Sequence, residues 1–475
     1  MNDIVLTQSQ QYAFEKLKFF IENPHDRVFI LKGYAGTGKT TLVRTLIEEM
    51  KDRCLKYTLL ASTGRAAKIL SNATGEEART VHGCIYQFGG FNQDIEKMVK
   101  IRERTEVDDT GQLFLNFGVR TIINRDDKCT IYVVDESSMI SDKEDKNATQ
   151  ALFGSGRLLY DLINFDRDGK FIFVGDVCQL PPITQKISPA LNLDYFRDVF
   201  GIKANEVELT DIVRQQEGCD IVLSAAKIRN MYFRPQPFKC AKFPLKGYAN
   251  IHLLSNQMDL VRMYISEIKN KGYNYSTLLS FSNQQCDAIT DVVRPALGIH
   301  SDKIAVNDLL LITQNNSISG LMNGDQVRVV DIGKRERRAG LTFVKVTVQE
   351  LFTQQTFTQF MIEEILYANQ TNLSQPQQKE LFIDYYYRMK DRGISQHSQE
   401  FKDYMYIDPY LNGLRAVYGY ALTCHKAQGG EWCKVFLDIP RSLPYKDKPY
   451  VYQWVYTAMT RAKEDLYIVD DYWVM

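Results

Sequence analysis

A glycine-rich segment near the start of the chain has the residue types and the spacing that bind a polyphosphate. Residues 33–40 read Gly-Tyr-Ala-Gly-Thr-Gly-Lys-Thr, and the glycines let the backbone turn tightly so that its N–H groups face an anion. Lys39 can reach the β- and γ-phosphates of a nucleoside triphosphate, and Thr40 can offer its hydroxyl group to Mg²⁺. The residues expected to surround the phosphates are Gly33, Ala35, Gly36, Thr37, Gly38, Lys39, Thr40 and Thr41.

The elements on either side of this loop predict how it is held. Residues 28–31 are a short apolar run that is typical of a buried parallel strand. Residues 41–50 have helical spacing, which would point the positive end of a helix dipole at the same phosphates. A glycine-rich turn without a ligand is the alternative, but strand, loop and helix together favour a nucleotide site.

Other apolar runs end in side chains that are suited to phosphate hydrolysis. Residues 131–134 predict a buried strand that ends in Asp135 and Glu136. Asp135 can hold Mg²⁺, directly or through water, and Glu136 can polarise the attacking water. Residues 171–174 predict another strand, followed by Gln179, whose amide can contact the γ-phosphate and report its presence to a neighbouring domain. This combination predicts hydrolysis of the nucleotide as well as its binding.

Length and composition limit the class of protein. With 475 residues, the chain is too long for one core and indicates three or four domains. Its 58 basic and 58 acidic residues balance, which gives no global signature of a nucleic-acid binder but is compatible with a locally basic groove. Nine scattered cysteines predict neither a zinc site nor a disulfide framework. Without an apolar stretch of about 18 residues or a signal-peptide pattern, we expect a cytoplasmic protein and no membrane association.

A glutamine ahead of the first strand is a candidate contact to the nucleotide base. Gln10 follows Leu6 and Thr7 at the start of a helical pattern. A glutamine amide both donates and accepts hydrogen bonds, so it can pair with the edge of an adenine. An ordinary surface helix is the competing interpretation.

The stretch between His82 and Ile131 is too long for a simple connection, so we expect an insertion there. It contains aromatic residues beside glycine and turn signals, namely Phe88, Phe91, Phe114 and Phe117. A displayed aromatic hairpin could stack on bases or wedge a duplex apart. A small subdomain that buries these rings explains the same residues equally well.

In the second half, apolar strands again end in polar side chains. Residues 277–281 predict a strand that is followed by Asn283. Residues 417–422 predict another strand, which runs into Thr423 and His425. In the first half, Thr63 follows a strand predicted at residues 57–61, and capping and packing explain Thr63 and His82, taken singly, as well as contact with a nucleic-acid phosphate does.

The C-terminal part predicts a motif-bearing helix and a further insertion. Residues 452–463 predict a helix that carries Tyr-Thr-Ala-Met-Thr-Arg-Ala-Lys, and a last strand is expected at residues 466–469. Residues 331–415 form the expected second insertion. In it, the basic run 334–338 is expected to be a solvated loop at the tip of a hairpin.

In their order and in their sequences, these motifs resemble those of the superfamily 1 nucleic-acid helicases. Within that superfamily they resemble the RecD/Dda/Pif branch, which moves 5′-to-3′ on DNA. The matching segments run in the order of that family from residue 6 to residue 463. They are the Gln10 motif, G-Y-A-G-T-G-K-T, S-T-G-R-A-A, T-V-H, V-V-D-E-S-S-M, G-D-V-C-Q-L-P-P, L-T-D-I-V-R-Q, A-L-T-C-H-K-A-Q-G-G-E and Y-T-A-M-T-R-A-K. The insertions match the family in position more than in sequence.

The resemblance implies an α/β fold with two RecA-like P-loop NTPase cores. Each core would be a parallel sheet flanked by helices, and ATP would bind in the cleft between the cores. The implied segments are 1–82 and 131–215 for the first core, 83–130 for a strand-separating pin, 216–330 and 416–475 for the second core, and 331–415 for a small β-barrel of the Src-homology-3 type.

The resemblance also implies roles for the motif residues. Gln10 would read adenine, Glu431 would hold the ribose, and Arg214 and Arg461 would act as arginine fingers on the γ-phosphoryl group. The track for a single strand would be lined by Thr63, His82, Asn283, Thr423 and His425. The chain is therefore expected to be an ATP- and Mg²⁺-dependent DNA helicase. It would be a monomeric motor that binds single-stranded DNA and duplex junctions and works with replication or repair proteins.

Interpretations from other functional classes stay open at the level of sequence. One is an RNA-directed or RNP-remodelling ATPase, which RNA would activate and DNA would not. The other is an ATP-gated single-strand-binding protein, which the intact Lys39, Glu136, Arg214 and Arg461 argue against. The polarity of movement follows from the resemblance alone, because no residue spacing reveals it.

Overall fold

The computed structural model describes residues 5–105, 112–122, 129–144, 151–213, 219–368 and 370–475. Up to residue 209 the elements are α1 (Gln8–Glu22), β1 (Val28–Gly33), α2 (Lys39–Asp52), β2 (Tyr57–Ala61), α3 (Gly64–Thr74), β3 (Ala78–Thr80), α4 (Val81–Ile85), β4 (Tyr86–Phe91), α5 (Ile95–Thr105), β5 (Leu115–Val119), β6 (Ile131–Asp135), β7 (Ala151–Phe153), α6 (Leu158–Phe165), β8 (Lys170–Gly175), α7 (Leu193–Phe200) and β9 (Ala204–Leu209). From residue 219 onward they are α8 (Cys219–Phe233), β10 (Ile251–Leu254), α9 (Gln257–Lys271), β11 (Ser276–Ser280), α10 (Asn283–Ala296), β12 (Leu309–Ile312), β13 (Gln326–Arg338), β14 (Leu341–Glu350), β15 (Thr356–Ile362), α11 (Glu364–Tyr367), α12 (Gln375–Asp391), α13 (Gln399–Ile407), β16 (Ala416–Tyr418), β17 (Ala421–Thr423), β18 (Trp432–Asp438), α14 (Lys448–Met459) and β19 (Ala462–Val469). Over the described ranges, no helix is long and apolar enough to cross a membrane.

The first parallel sheet has the strand order β3-β2-β6-β8-β1-β9. Its central strands are short runs of branched and aromatic residues, buried along almost their whole length because helices cover both faces. Helices α1, α2 and α3 pack on one face, and α4, α6 and α7 pack on the other. The strands all point the same way, so the loops after β1, β6 and β8 meet at one edge of the sheet.

The second parallel sheet has the order β10-β19-β18-β11-β17. Helices α9 and α10 cover one face, and α8 and α14 cover the other. The predicted fold class, α/β with parallel sheets flanked by helices, is confirmed. The apolar cluster around α14 continues into the first half of the chain, because Cys178 and Leu180 belong to the same cluster as Trp454.

The chain between β12 and β16 forms an antiparallel sheet with the order β15-β14-β13-β12-β16. Its edges approach each other at a bridge between Met361 and Leu414. There Ile362 N donates to Leu414 O at 3.0 Å, and Leu414 N donates to Phe360 O at 2.7 Å. The small barrel implied by the resemblance stays a prediction, since the described strands form a sheet whose edges touch at this bridge.

A short junction joins the antiparallel sheet to the second parallel sheet. β16 ends at Tyr418 and β17 begins at Ala421, so only Gly419 and Tyr420 lie between them. Tyr420 is fully buried, and its hydroxyl group donates to Asp308 Oδ1 at 2.8 Å. The junction is therefore fixed by the core on which it lies.

The basic run 334–338 lies in a strand, which corrects the loop expected from the sequence. β13 extends to Arg338, and the hairpin turns at residues 339–340. The Arg338 guanidinium forms an ion pair with Asp384 of α12 at 3.0 Å. Strand pairing and an ion pair to a neighbouring helix thus order a segment that its charge alone suggested would be solvated.

The first insertion contains a small sheet of β4, β5 and β7, together with α5. β7 joins this sheet although it lies beyond the insertion expected at residues 83–130. On α5, Ile95 and Met98 belong to one apolar cluster with Leu381 and Phe382 of α12. The insertions therefore share a core although they are far apart in sequence.

The last helix begins and ends four residues earlier than the sequence predicts. α14 ends at Met459, and Ala462 already pairs with Trp432 as the first residue of β19. Trp432 N also donates to Arg461 O at 2.9 Å, which draws the backbone into the sheet. Arg461 therefore lies in the turn between helix and strand.

Candidate functional site

The phosphate-binding loop leaves β1 and enters α2 with its lysine turned inward. Gly36 and Gly38 have φ angles of 78° and 76°, the left-handed conformation that favours glycine. The Lys39 ammonium group donates to Gly33 O at 2.8 Å and to Tyr34 O at 3.1 Å. The loop thus folds around the lysine, which places its charge where a polyphosphate would bind.

A cavity of about 1190 Å³ opens over this loop, between the first and second parallel sheets. Of the residues predicted to contact the nucleotide, those that line it are Ala35, Gly36, Gly38, Lys39, Thr40, Thr41 and Glu431. Gly33 ends β1 beneath the loop. Thr37 is 1% exposed and donates its hydroxyl group to Tyr34 O at 2.8 Å, so it shapes the loop from within.

Gln10 packs against the back of the loop. It is 2% exposed, and its Nε2 donates to Thr37 O at 3.2 Å and to Gly38 O at 3.4 Å. Its Oε1 accepts from Thr7 N at 2.9 Å, which caps α1. Both ends of the amide are engaged by the protein, so Gln10 supports the loop in this arrangement. Recognition of adenine by Gln10 stays a prediction, and it would require the amide to leave these partners.

The carboxylates at the end of β6 line the same cavity. Glu136 has φ 48° and ψ 40°, a left-handed conformation that is rare for glutamate and common at functional sites. Its N–H donates to Asp135 Oδ1 at 2.8 Å. Burial, and after it the negative charge of Glu136, raises the pKa of Asp135 to about 6. A nearby cation would stabilise this pair in its charged form.

The donors at this position fit Mg²⁺. Thr40 is exposed and Asp135 is half-buried, and both residues line the cavity. In phosphate-loop enzymes such a pair holds the metal, and phosphate oxygens and water complete the octahedral shell. Within the described ranges, no group of three Cys, His, Asp or Glu side chains could hold a metal by itself.

Gln179 connects the carboxylates to the second half of the chain. With its amide oriented to satisfy both neighbours, Nε2 donates to Glu136 Oε2 at 3.2 Å. In the same orientation, Oε1 accepts from Arg461 Nη2 at 3.1 Å. Glu136 belongs to the first parallel sheet and Arg461 follows α14, so a single amide spans the cleft between the two halves.

Arg461 is a buried guanidinium group whose partners are uncharged. It is 4% exposed, and it donates from Nε to Thr457 O at 3.0 Å and from Nη1 to Gly430 O at 3.3 Å. A buried cation with neutral partners is stabilised by an anion that enters its cavity. The second predicted finger, Arg214, lies outside the described residues.

Helix α14 is docked on the loop that follows β8. Thr457 Oγ1 accepts from Leu180 N at 2.9 Å. Gln453 Nε2 donates to Val177 O at 3.3 Å and to Gln179 O at 3.2 Å. These bonds hold the helix that precedes Arg461 against the loop that carries Gln179.

The residues predicted to line a single-strand track lie at the carboxyl ends of parallel strands. Thr63 and His82 come shortly after β2 and β3, which are neighbours in the first sheet. Asn283, Thr423 and His425 lie at or just after the ends of β11 and β17, which are neighbours in the second sheet. Parallel strands end at one edge, so each group shares one edge of its sheet.

Two residues that the sequence did not single out lie beside the predicted single-strand track and beside the nucleotide site. Lys426 Nζ donates to Asn283 Oδ1 at 3.3 Å and adds a cation to the proposed track. Asp176 directly follows β8, is 1% exposed, and accepts at Oδ1 from Cys178 N at 2.9 Å. The signal that pointed to Asp135, an acidic residue at the end of a buried strand, would also have pointed to Asp176.

The phenylalanines of the first insertion are half-buried. Among the described residues, ring contacts join Phe88 to Phe91 at 5.6 Å, Phe88 to Phe117 at 5.7 Å, and Phe91 to Phe382 of α12 at 5.2 Å. Phe114 lies outside these contacts. The arrangement favours packing for the three clustered rings, and a pin role stays a prediction that suits Phe114 best.

The fold and the site together define the class of this protein. It is a P-loop NTPase in which two α/β halves face one nucleotide cavity. One half supplies the phosphate-binding loop with Lys39 and the carboxylates, and the other supplies Arg461.

Comparisons with known proteins add the family. Residues 5–230 match the AAA domain, and residues 418–469 match the UvrD-like helicase C-terminal domain. Over 98% of its length, the chain is 23% identical to the ATP-dependent DNA helicase Dda of Enterobacteria phage T4, of which it covers 99%. It is also 24% identical, over 94% of its length, to the uncharacterized protein MJ1519 of Methanocaldococcus jannaschii, but it spans only 36% of that longer chain.

Solved structures of Pif1 helicases align with almost the whole chain. Pif1 from Candida albicans covers 99% of this chain at 17% identity, with 96% of its own length aligned and a TM-score of 0.43. Pif1 from Bacteroides in complex with ADP-AlF3 and single-stranded DNA covers 98%, with 92% of its own length aligned, at 18% identity and a TM-score of 0.45. The domain matches and the full-length relative support the resemblance of the chain to superfamily 1B helicases of the Pif1/Dda type. The family that the motifs resemble is thereby confirmed.

Proposed function

We propose that the chain is an ATP-dependent DNA helicase that translocates 5′-to-3′ on single-stranded DNA and unwinds duplexes. The observation that carries ATP-driven coupling in this proposal is the line of Glu136, Gln179 and Arg461 across the cleft, whereas the polarity rests on the resemblance of the motifs. An arginine from the second half stabilises charge on the γ-phosphoryl group only when the cleft is closed. ATP binding would close the cleft and hydrolysis would release it. If both halves hold the same strand, this alternation becomes stepping.

In the proposed reaction each residue of the cavity has one task. Lys39 and the N–H groups of the loop would bind the phosphates, and Thr40 and Asp135 would hold Mg²⁺. Glu136 orients and deprotonates the attacking water. Gln179 senses the γ-phosphate, since its amide contacts the general base Glu136 on one side and the guanidinium group of Arg461 on the other. For Glu431, which lines the cavity, we propose contact with the ribose.

The segments of the chain would share the work as follows. We propose residues 1–82 and 131–215 as the first motor core, 83–130 as the pin, 216–330 and 416–475 as the second core, and 331–415 as a small barrel that folds over the DNA. β7 would belong with the pin, because it pairs with β5. Arg214 would act as a second finger.

We propose that a single strand runs along the edges at which the track residues lie. Thr63 and His82 would hold it on the first half, and Asn283, Thr423 and His425 on the second. Lys426 would add a phosphate contact beside Asn283. DNA is favoured over RNA because the full-length phage relative is named a DNA helicase. We further propose a cytoplasmic, monomeric motor that works at duplex junctions with replication or repair proteins.

An unwinding assay on tailed duplexes tests the proposal. Purified protein with ATP and Mg²⁺ is given a fluorescently labelled duplex with a 5′ single-stranded tail, the same duplex with a 3′ tail, or a blunt duplex. We expect strand separation with the 5′ tail and little with the others. Separation with the 3′ tail alone would reverse the polarity. ATP hydrolysis that RNA homopolymers stimulate and DNA homopolymers do not would replace the DNA helicase by an RNA-directed ATPase.

A further inference from the structure

Tyr456 of α14 forms hydrogen bonds to two different parts of the first half through one hydroxyl group. The hydroxyl donates to Asp176 Oδ2 at 2.7 Å and accepts from Ala35 N at 2.9 Å. Ala35 belongs to the phosphate-binding loop, and Asp176 follows β8. The side chain is 2% exposed, so water does not compete for these bonds.

The Asp176 carboxylate, which accepts the hydrogen bond from Tyr456, interacts with the charged groups of the nucleotide site. Asp176 is 1% exposed, and its burial raises its pKa. The Lys39 ammonium group opposes that rise, and the Glu136 carboxylate adds to it. A hydrogen bond from a hydroxyl group to such a buried carboxylate is charge-assisted and therefore strong and directional. Tyr456 is thus joined to the same charges that would handle the phosphates.

Helix geometry ties Tyr456 to Arg461. Tyr456 and Thr457 lie on the last turn of α14, which ends at Met459, and Arg461 follows two residues later. The Arg461 Nε donates back to Thr457 O at 3.0 Å, so the guanidinium group is fixed to that turn. Any shift of the last turn against the phosphate-binding loop therefore carries the guanidinium group with it.

We propose that Tyr456 is a positioning residue that sets the last turn of α14, and with it Arg461, against the phosphate-binding loop when the cleft is closed. This inference rests on the proposed function, because it concerns the ATP hydrolysis of the motor. The hydroxyl group fixes the helix at two points, the loop N–H at Ala35 and the carboxylate of Asp176. The bond from Ala35 N reaches the phosphate-binding loop itself, whereas Thr457 and Gln453 bind the loop after β8.

The substitution Tyr456→Phe tests this role because it removes the hydroxyl group and keeps the ring. We expect kcat for DNA-stimulated ATP hydrolysis to fall by about 10- to 100-fold, since two buried hydrogen bonds are lost and the finger is misplaced. Binding of a fluorescent ADP analogue should change little, because Arg461 acts mainly in the transition state. An equal loss of analogue binding and kcat would overturn the proposal.

Tyr452 provides the matched control on the same helix. It is fully buried, and among the described residues its hydroxyl group forms no hydrogen bond to the phosphate-binding loop or to Asp176. Tyr452→Phe should leave both kcat and the melting temperature unchanged. Tyr456→Phe should keep the wild-type melting temperature within a few degrees. If both variants lose kcat only in proportion to melting temperature, Tyr456 is a packing residue and the proposal fails.

A double-mutant cycle with Arg461→Ala separates positioning from packing. If Tyr456 acts through Arg461, adding Tyr456→Phe to Arg461→Ala should cause no further loss of kcat. If the two single-variant losses of kcat multiply in the double variant, the inference is overturned. A wild-type protein without DNA-stimulated ATP hydrolysis would sink the proposed function itself. A fully active wild type with an equally active Tyr456→Phe variant would sink this inference alone.

Discussion

The Nζ of Lys68 lies 2.5 Å from Oδ2 of Asp325, and this ion pair joins α3 in the first half to the turn before β13 in the second. Both residues line the nucleotide cavity. The Asp325 side chain is 2% exposed and also accepts from Met322 N at 2.8 Å. The halves of the chain are thus connected on the α3 side of the cavity as well as by α14.

Lys68→Met should lower the free energy of unfolding by about 2–3 kcal/mol, because it leaves a buried carboxylate without its cation. Adding Asp325→Asn should restore part of the loss, since the unpaired charge is then removed. Chemical denaturation of both variants measures the effect. The control is Lys51→Met, which breaks an exposed pair with Glu76 at 2.5 Å and should leave stability unchanged. A Lys68→Met protein as stable as wild type would show that the pair contributes nothing.

Lys39→Ala should abolish ATP turnover while single-stranded DNA binding largely survives. The phosphates lose their cation, and the carbonyl groups of Gly33 and Tyr34 lose the donor around which the loop is folded. Hydrolysis is followed by phosphate release, and DNA binding by fluorescence anisotropy of a labelled oligonucleotide. Equal turnover by mutant and wild type would contradict the assignment of the nucleotide site.

Glu136→Gln should bind ATP and DNA but hydrolyse ATP about 10²- to 10⁴-fold more slowly, because the water loses its general base. Glutamine keeps the size of the side chain, so the variant should fold and melt as the wild type does. Single-turnover hydrolysis measures the chemical step directly. If the rate is unchanged, another group must activate the water.

Arg461→Ala should lower turnover by about 10³-fold or more if the residue acts as a finger. Nucleotide affinity should change much less, because the contact strengthens as charge develops on the transferring group. Arg214→Ala is expected to behave in the same way on the basis of its motif. The measurements are kcat and the affinity for a fluorescent ADP analogue. A loss confined to affinity would make the residue a ligand of the ground state.

The phenylalanines of the first insertion should divide into two kinds. Phe117→Ala removes a half-buried ring that stacks on Phe153 at 4.8 Å, so we expect a loss of about 2–4 kcal/mol in stability. Phe114→Ala should leave stability nearly unchanged. If Phe114 meets the duplex junction, its variant should unwind poorly while DNA-stimulated ATP hydrolysis and translocation persist. Thermal melting and the unwinding assay separate these effects, and a Phe114→Ala protein that unwinds normally would remove it as the pin.

The parts of the site that depend on local spacing were predictable from the sequence. The loop around Lys39 follows a buried strand, and Asp135 and Glu136 lie at the end of another, while parallel strands bring their ends to one edge of a sheet. The two parallel sheets were expected from the resemblance of the motifs, whereas apolar runs such as residues 28–31 indicated single buried strands. For these elements, neighbours along the chain decide the structure.

Contacts between distant segments could not be predicted from the sequence. The Gln10 amide could equally have pointed at a base, and only the packing of α1 on the loop decides that it bonds Thr37 and Gly38. Lys68 and Asp325 carry no local signal for each other, since their contact depends on how the two halves dock. Such pairs are set by tertiary geometry.

The ends of helices and strands also depended on pairing strands that are distant in the sequence. Helical spacing continued past Met459, but pairing of Ala462 with Trp432 ends the helix early. The basic run 334–338 looked solvated, yet strand β14 pairs along it. In both cases a ladder of backbone hydrogen bonds overrode the local preference.

The junction at Gly419 and Tyr420 has a mechanical consequence. Only these two residues separate β16 of the antiparallel sheet from β17, which ends at Thr423. The Tyr420 hydroxyl group is hydrogen-bonded to Asp308, the residue that precedes β12 of the antiparallel sheet. A load applied to the antiparallel sheet would therefore reach Thr423 as displacement instead of being absorbed by a flexible linker. The antiparallel sheet and β17 would thus move together as one unit.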